Sequence, residues 1–277
     1  MTATTGNDLL HGQDGSDILK GLNGNDSING GAGDDILYGN GGNDLINGGA
    51  GRNRLFGQGG NDIIDGGAGL DRLVERSDLD VTLTDTRLHA RGTDLLSNIE
   101  IANLAGGNGN NLINAEMTTE IRTVLSGFGG DDTLIGGAKR DTIRGNDGND
   151  ILEGGDSPDI LIGGAGDDNL IGLGGDDLLN GGDGDDFFFG DAGNDTLIGL
   201  DGADVFIIES ITGIDSIVDF ESGVDRLAFG SGLSFDALSI TAGDDLTSTI
   251  IGLNNSDRIL AVVEDTSYTD LTSEDFI

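Results

Sequence analysis

The sequence predicts an all-β fold: a parallel solenoid with two nonapeptides to the coil and a C-terminal β cap. Three observations predict it. Read in frames of nine, the chain keeps glycine at positions 1 and 4, aspartate at position 6 and a large apolar residue at position 8. That phase holds through two long stretches, 1–74 and 127–207. The composition supplies turns in quantity, 52 glycines against 1 proline, while aromatics make up only 4%. A conventional globular core would be thin.

The first array runs from Ala3 to Val74 in about eight frames. Position 8 is Leu10, Leu19, Ile28, Leu37, Ile46, Leu55, Ile64 and Leu73, always apolar and so inward. Positions 7 and 9 mix Ser27, Arg54, Lys20 and Asn29 with apolar residues and face mostly outward. Positions 7–9 therefore form a short strand, and the six residues before it form a glycine turn. One strand and one turn make half a coil, so frames n and n+2 stack on the same edge.

Residues 75–126 interrupt the array. Val81–Thr84 alternates as a strand, as does Ile99–Ile101, and a single frame returns at 106–114 with Asn111 at position 6. The break proper, 75–105, is about 30 residues and cannot bury a core of its own, so a separate globular domain is not expected. The second array, 127–207, has about nine frames. Lys139 and Ser157 replace the glycine at position 4 in two of them. The tail, 208–277, reads as short strands over Ser216–Phe220, Arg226–Phe229, Leu238–Thr241, Thr249–Ile251 and Ile259–Val263. It would cap the open end of the solenoid.

The candidate metal ligands are the position-6 aspartates. Asp8, Asp26, Asp44 and Asp62 line one edge of the first array, and Asp17, Asp35 and Asp71, with Asn53 among them, line the other. In the second array Asp132, Asp150, Asp168, Asp186 and Asp204 form one edge, and Asp141, Asp159, Asp177 and Asp195 the other. A lone Gly-x-Asp is an ordinary Asx turn. A phased array of them suits calcium, a hard cation that takes 6–8 oxygens from carboxylates and carbonyls.

These frames, above all Gly163 to Ile207, resemble the haemolysin-type RTX (repeats-in-toxin) calcium-binding family. The resemblance implies a right-handed parallel β-roll in which aspartates of frames n and n+2 share each Ca2+. Counting the gaps bounds the ions at roughly 13. It also implies that residues 75–105 form irregular solenoid coils or a lateral bulge, and that the segment from Thr212 through Leu227 caps the roll. The tail, ending Ser273-Glu-Asp-Phe-Ile277, resembles the uncleaved export region of type I secreted proteins. An N-terminus with neither a basic nor an apolar signal region agrees with export without a signal peptide, to the cell exterior or surface.

A net charge of −38 needs counter-ions or water, and it makes nucleic acid and anionic membranes poor partners. No apolar run approaches the ~20 residues of a membrane span. Cysteine is absent, which removes disulfides and thiolate metal sites. Catalysis is not expected: there is no H-E-x-x-H and no G-x-S-x-G, and composition explains Asp85, His89 and Ser97 better than a triad does. A calcium-stiffened adhesive or surface-layer rod, with a cell-surface or extracellular polysaccharide as partner, stays open, as does a module related to larger enzymes.

Two local readings concern the edges. Lys139 and Ser157 predict weaker calcium on their edge, because a side chain disfavours left-handed turn geometry. At Asn53, flanked by Arg52 and Arg54, either a guanidinium partly replaces the charge of a missing ion or both arginines are merely solvated.

Overall fold

The computed structural model describes residues 3–209, 213–230, 232–243 and 247–277; Thr212, at the start of the expected cap, lies outside them. Over these residues the chain is all-β, with two fourteen-stranded sheets, a two-stranded pairing of Ala50–Gly51 with Ala68–Gly69 and one short 3-10 turn at Phe235–Ala237. The nine-residue pattern dictates the register. Leu10 pairs with Ile28, Ile28 with Ile46 and Ile46 with Ile64 in one sheet, while Leu19, Leu37, Leu55 and Leu73 pair in the other. All of these pairs are parallel and all but the break keep an eighteen-residue offset, so frames n and n+2 stack as expected.

The core is the column of position-8 side chains between the sheets. From Ile28 to Phe206 they are buried to within about 1% exposure. Phe188 and Phe206 stack at 4.8 Å between ring centroids, and Phe220 closes the column 6.2 Å beyond. Phe188→Ala should therefore cost about 3–5 kcal/mol of stability by loss of burial and cavity formation. Phe187→Ala, on the solvent side of the same strand and 41% exposed, should stay within about 0.5 kcal/mol. Urea unfolding in saturating calcium compares the two.

The interruption continues the solenoid. In one sheet Ile63–Asp65 is followed by Thr93–Ser97, Arg87–His89, Val81–Thr84 and then Leu112–Met117. The chain leaves Arg72–Arg76, enters this sheet three places up at Val81 and descends as an antiparallel meander. In the other sheet a single strand, Ile101–Ala105, joins Arg72–Arg76 to Arg122–Gly129. Val81, Leu83, Leu88 and Leu96 keep the inward column filled through the meander. The strand expected at Ile99 starts two residues later, because Glu100 is drawn into the turn by the backbone N–H of Asp71.

At the C-terminal end Asp215–Ile217 pairs in parallel with Ile259–Val263, which continues antiparallel through Thr249–Leu253 to Leu238–Ala242. Antiparallel pairing ends the parallel stack, and Leu238, Ile251, Leu260 and Val263 cover its last coil. The other sheet ends at Arg226–Phe229, against which the final residues dock: Leu227 N–H donates to the Asp275 carbonyl and Ile277 N–H to the Leu227 carbonyl. Phe276 stacks on Phe229 at 5.8 Å and meets Phe235 edge-on. Among the described residues no helix is long and apolar enough to cross a membrane.

Candidate metal sites

Stacking places every position-6 aspartate directly over its neighbour two frames away. One carboxylate oxygen, Oδ1, accepts the backbone N–H of the aspartate in the preceding coil. Asp8 N–H donates to Asp26, Asp26 to Asp44 and Asp44 to Asp62, each at 2.8 Å. The second array repeats this from Asp132 to Asp204 on one edge and from Asp141 to Asp195 on the other. Position 5 makes an outer ladder of the opposite sense: Asn25 N–H donates back to Asn7, and Asn43 back to Asn25. Sequence reasoning assigned position 5 no role, although Asn or Asp fills it in most frames.

The second oxygen, Oδ2, is what distinguishes these turns. In thirteen of the sixteen expected aspartates it is buried with no hydrogen-bond donor: Asp26, Asp35, Asp44, Asp62, Asp71, Asp132, Asp150, Asp159, Asp168, Asp177, Asp186, Asp195 and Asp204. It lies beside the position-1 glycine of its own turn and, in most frames, the carbonyl of the position-1 glycine one coil on. A Cβ on Gly21, for instance, would collide with Asp26 Oδ2 and the Gly39 carbonyl oxygen. Two acceptors thus face each other with no hydrogen between them, and buried acceptors so placed call for a cation. Among the described residues no three carboxylate or imidazole side chains converge on one point, so main-chain carbonyls must complete any such site.

Position 2 decides which turns have a free oxygen. In all thirteen it has positive φ, even where it is Leu22 (79°), Phe128 (80°) or Leu173 (71°). At Thr4, Gln13 and Gly137 it does not. There its N–H turns inward and donates to the Oδ2 of Asp8, Asp17 and Asp141 at 2.6–2.7 Å. Asp8 and Asp17 begin their ladders, while Asp141 Oδ1 still accepts Thr123 N–H from the coil before at 2.5 Å. The glycines at positions 1 and 4 serve different ends, since position 4 takes the left-handed conformation and position 1 makes room for the carboxylate. Gly145→Ala, which drives a Cβ into Asp150 Oδ2 and the Gly163 carbonyl, should destabilise by about 1–3 kcal/mol. Gly129→Ala, where nothing lies nearer than 3.9 Å, should be close to neutral by thermal melting.

Burial without a donor sets the electrostatics. Desolvation, opposed by the ladder N–H, pushes Asp44, Asp62, Asp132 and Asp204 up to about 6 and Asp159, Asp168 and Asp186 to about 7. Asp177 reaches about 8, because burial is joined by the like charges of Asp195, Asp159 and Asp176.

The ladders run beyond the expected residues. Asp62 continues to Asp94, Asp71 to Glu100, Asp195 to Asp215 and Asp204 to Asp225. Three of these carry a half-frame, glycine, aspartate and an apolar residue at alternate places: Gly92-Asp94-Leu96, Gly213-Asp215-Ile217 and Gly223-Asp225-Leu227. That signal was readable but was masked by the missing first half. Lys139 and Ser157 do not take positive φ; Lys139 pairs with Glu120 at 3.6 Å and Ser157 Oγ donates to the Ala138 carbonyl. At Asn53 the guanidinium reading needs correction. Arg54 lies over the Phe56 ring, 5.6 Å from its centroid, and it is the Asn53 amide that meets Asp71. Asp85 accepts from Thr119 and Glu120, while His89 bonds Thr93, so neither engages the other.

The nonapeptide repeats match a known family. The RTX calcium-binding nonapeptide repeat family matches residues 2–37, 38–73, 126–161, 153–188 and 180–207. Among solved structures, the extracellular lipase LipA from Serratia marcescens is 17% identical over 99% of this chain and 39% of its own, with a TM-score of 0.24. The chain thus spans about two fifths of the lipase. The AlgE6R3 subunit of the Azotobacter vinelandii mannuronan C5-epimerase is 21% identical over 73% of this chain and 79% of its own, with a TM-score of 0.23. No curated protein sequence matches. With repeats matched over more than half of its length, the chain belongs to the RTX calcium-binding nonapeptide repeat family.

Proposed function

We propose that this chain is a secreted, non-catalytic calcium-binding β-roll that folds when Ca2+ fills its turns outside the cell. The observation that carries the reading is the set of thirteen buried carboxylate oxygens without a donor. A buried, unpaired carboxylate is costly enough to drive either protonation or pairing, and a divalent ion between stacked turns supplies the pairing. Asp26, Asp35, Asp44, Asp62, Asp71 and every second-array aspartate from Asp132 to Asp204 except Asp141 would hold the ions, together with turn carbonyls. Asp8, Asp17 and Asp141 would bind last or not at all, since their Oδ2 already accepts a hydrogen bond. The closed turn at Asp141 fits weaker calcium on the Lys139 edge.

The net charge of −38 supports the same cycle. Where calcium is scarce, carboxylate repulsion keeps the chain expanded and fit for export. Millimolar calcium outside would fill sites of about 10⁻⁴–10⁻³ M affinity. Equilibrium dialysis against labelled calcium tests the reading, with roughly a dozen ions per chain expected in the millimolar range. Binding of no more than one or two would refute it. Appearance of the chain in the medium only when a type I exporter is present tests secretion separately.

A further inference from the structure

The two asparagines that stand at position 6 are oriented in opposite ways, and the ladder determines how. Asn53 sits inside its ladder. Asp35 N–H donates to it at 3.0 Å, and only the amide oxygen can accept, so Oδ1 is committed and Nδ2 must take the place of the second carboxylate oxygen. A Cβ on Gly48 would meet Asn53 Nδ2 and the Gly66 carbonyl, the same two places that Oδ2 and a glycine carbonyl occupy elsewhere. From there Nδ2 donates to Asp71 Oδ1 at 2.9 Å and towards the Gly66 carbonyl at 3.4 Å. Asn111 begins its ladder instead. Its Oδ1 is free to accept Gly107 N–H at 2.7 Å and occupies the cradle at Gly106 beside the Gly127 carbonyl.

We infer that the gap between the turns of Asn53 and Asp71 takes no cation, because the Asn53 amide fills it and supplies the donors a cation would otherwise replace. This rests on the calcium reading above and sharpens it: one edge of the first array carries a hydrogen-bonded rung between cation-binding ones. The amide places partial positive charge where the facing oxygens need it, and it leaves no space for an ion whose oxygens must approach to 2.3–2.6 Å. By the same logic any mid-ladder Asp→Asn exchange should empty one gap, since the ladder N–H always claims the oxygen.

Native mass spectrometry in saturating calcium reads the count directly. Asn53→Asp should carry one ion more than the wild-type chain. Asp44→Asn, placed mid-ladder on the opposite edge with Asp26 N–H on its Oδ1, should carry one fewer. Equal, non-zero counts in the wild type and Asn53→Asp overturn the inference while leaving the calcium reading intact. A wild-type chain without ions overturns the calcium reading, and this inference with it. Should circular dichroism find Asn53→Asp unfolded, Asp44→Asn decides, and an unchanged count there is the contrary result.

Discussion

Chelating calcium at pH 7.5 is expected to collapse the β spectrum of this chain to that of a coil. Each filled site adds RT ln(1 + [L]/Kd), about 0.5–1.5 kcal/mol at millimolar calcium and the affinities of extracellular modules. Thirteen turns with a free oxygen therefore supply roughly 6–20 kcal/mol, against a net stability of about 5–15 kcal/mol for an ordinary domain. The core cannot make up the difference, because the column holds one apolar side chain per frame. Solenoid coils contact only their neighbours, so loss should spread from emptied turns along the stack. Far-UV circular dichroism with and without chelator, followed by readdition of calcium, checks this. A β spectrum indifferent to the chelator would contradict both the magnitude and the mechanism.

In chelator, acid should restore structure that neutral pH removes. Burial raises Asp44, Asp62, Asp132, Asp159, Asp168, Asp177, Asp186 and Asp204 to folded-state values of about 6 to 8, above the 3.8 they take when exposed. Between those limits the folded chain binds more protons than the unfolded one. Stability from these groups is thus fully present below pH 3.8 and is lost as pH rises through 6 to 8. A metal-free chain at pH 5 should therefore melt higher than at pH 8. Calcium reverses the dependence, because its ligands must be ionised. The calcium concentration needed for folding should rise as pH falls from 8 to 5.5, by up to about tenfold per unit for each proton displaced. Asp177→Asn should flatten the upper end of that curve. Melting temperatures at the two pH values, with and without calcium, would sink the account if both moved the same way.

Much of this was legible because the repeat constrains each position separately. Leu37 and Ile46 had to face inward on alternate half-coils, which fixes the eighteen-residue stacking and so the pairs of aspartates that share a gap. The tail strands Arg226–Phe229 and Ile259–Val263 fall where alternation places them. Other features were not legible because they depend on what stacks above. Nothing local marks Leu22 or Phe128 as left-handed, for the surrounding ladder holds them there against their own preference. Nor does composition reveal that Val81–Thr84 enters its sheet three places up and returns antiparallel, since alternation carries no direction.

By itself, the nonapeptide phase determined the fold, the inward column and the residues at the turns, because period-two strands and glycine turns leave one way to bury one apolar residue in nine. Tertiary structure decided which oxygen of each aspartate remains free. The neighbouring coil's N–H claims one oxygen, and the twist at position 2 frees or occupies the other. Asp141 and Asp159 both lie in frames without the position-4 glycine, yet only Asp159 keeps an open oxygen; Asn53 and Asn111 both stand at position 6, yet they present opposite ends of the amide. Those differences arise from the partner each polar atom finds: Gly137 and Gly107 N–H within the turns of Asp141 and Asn111, and Asp71 one coil away for Asn53.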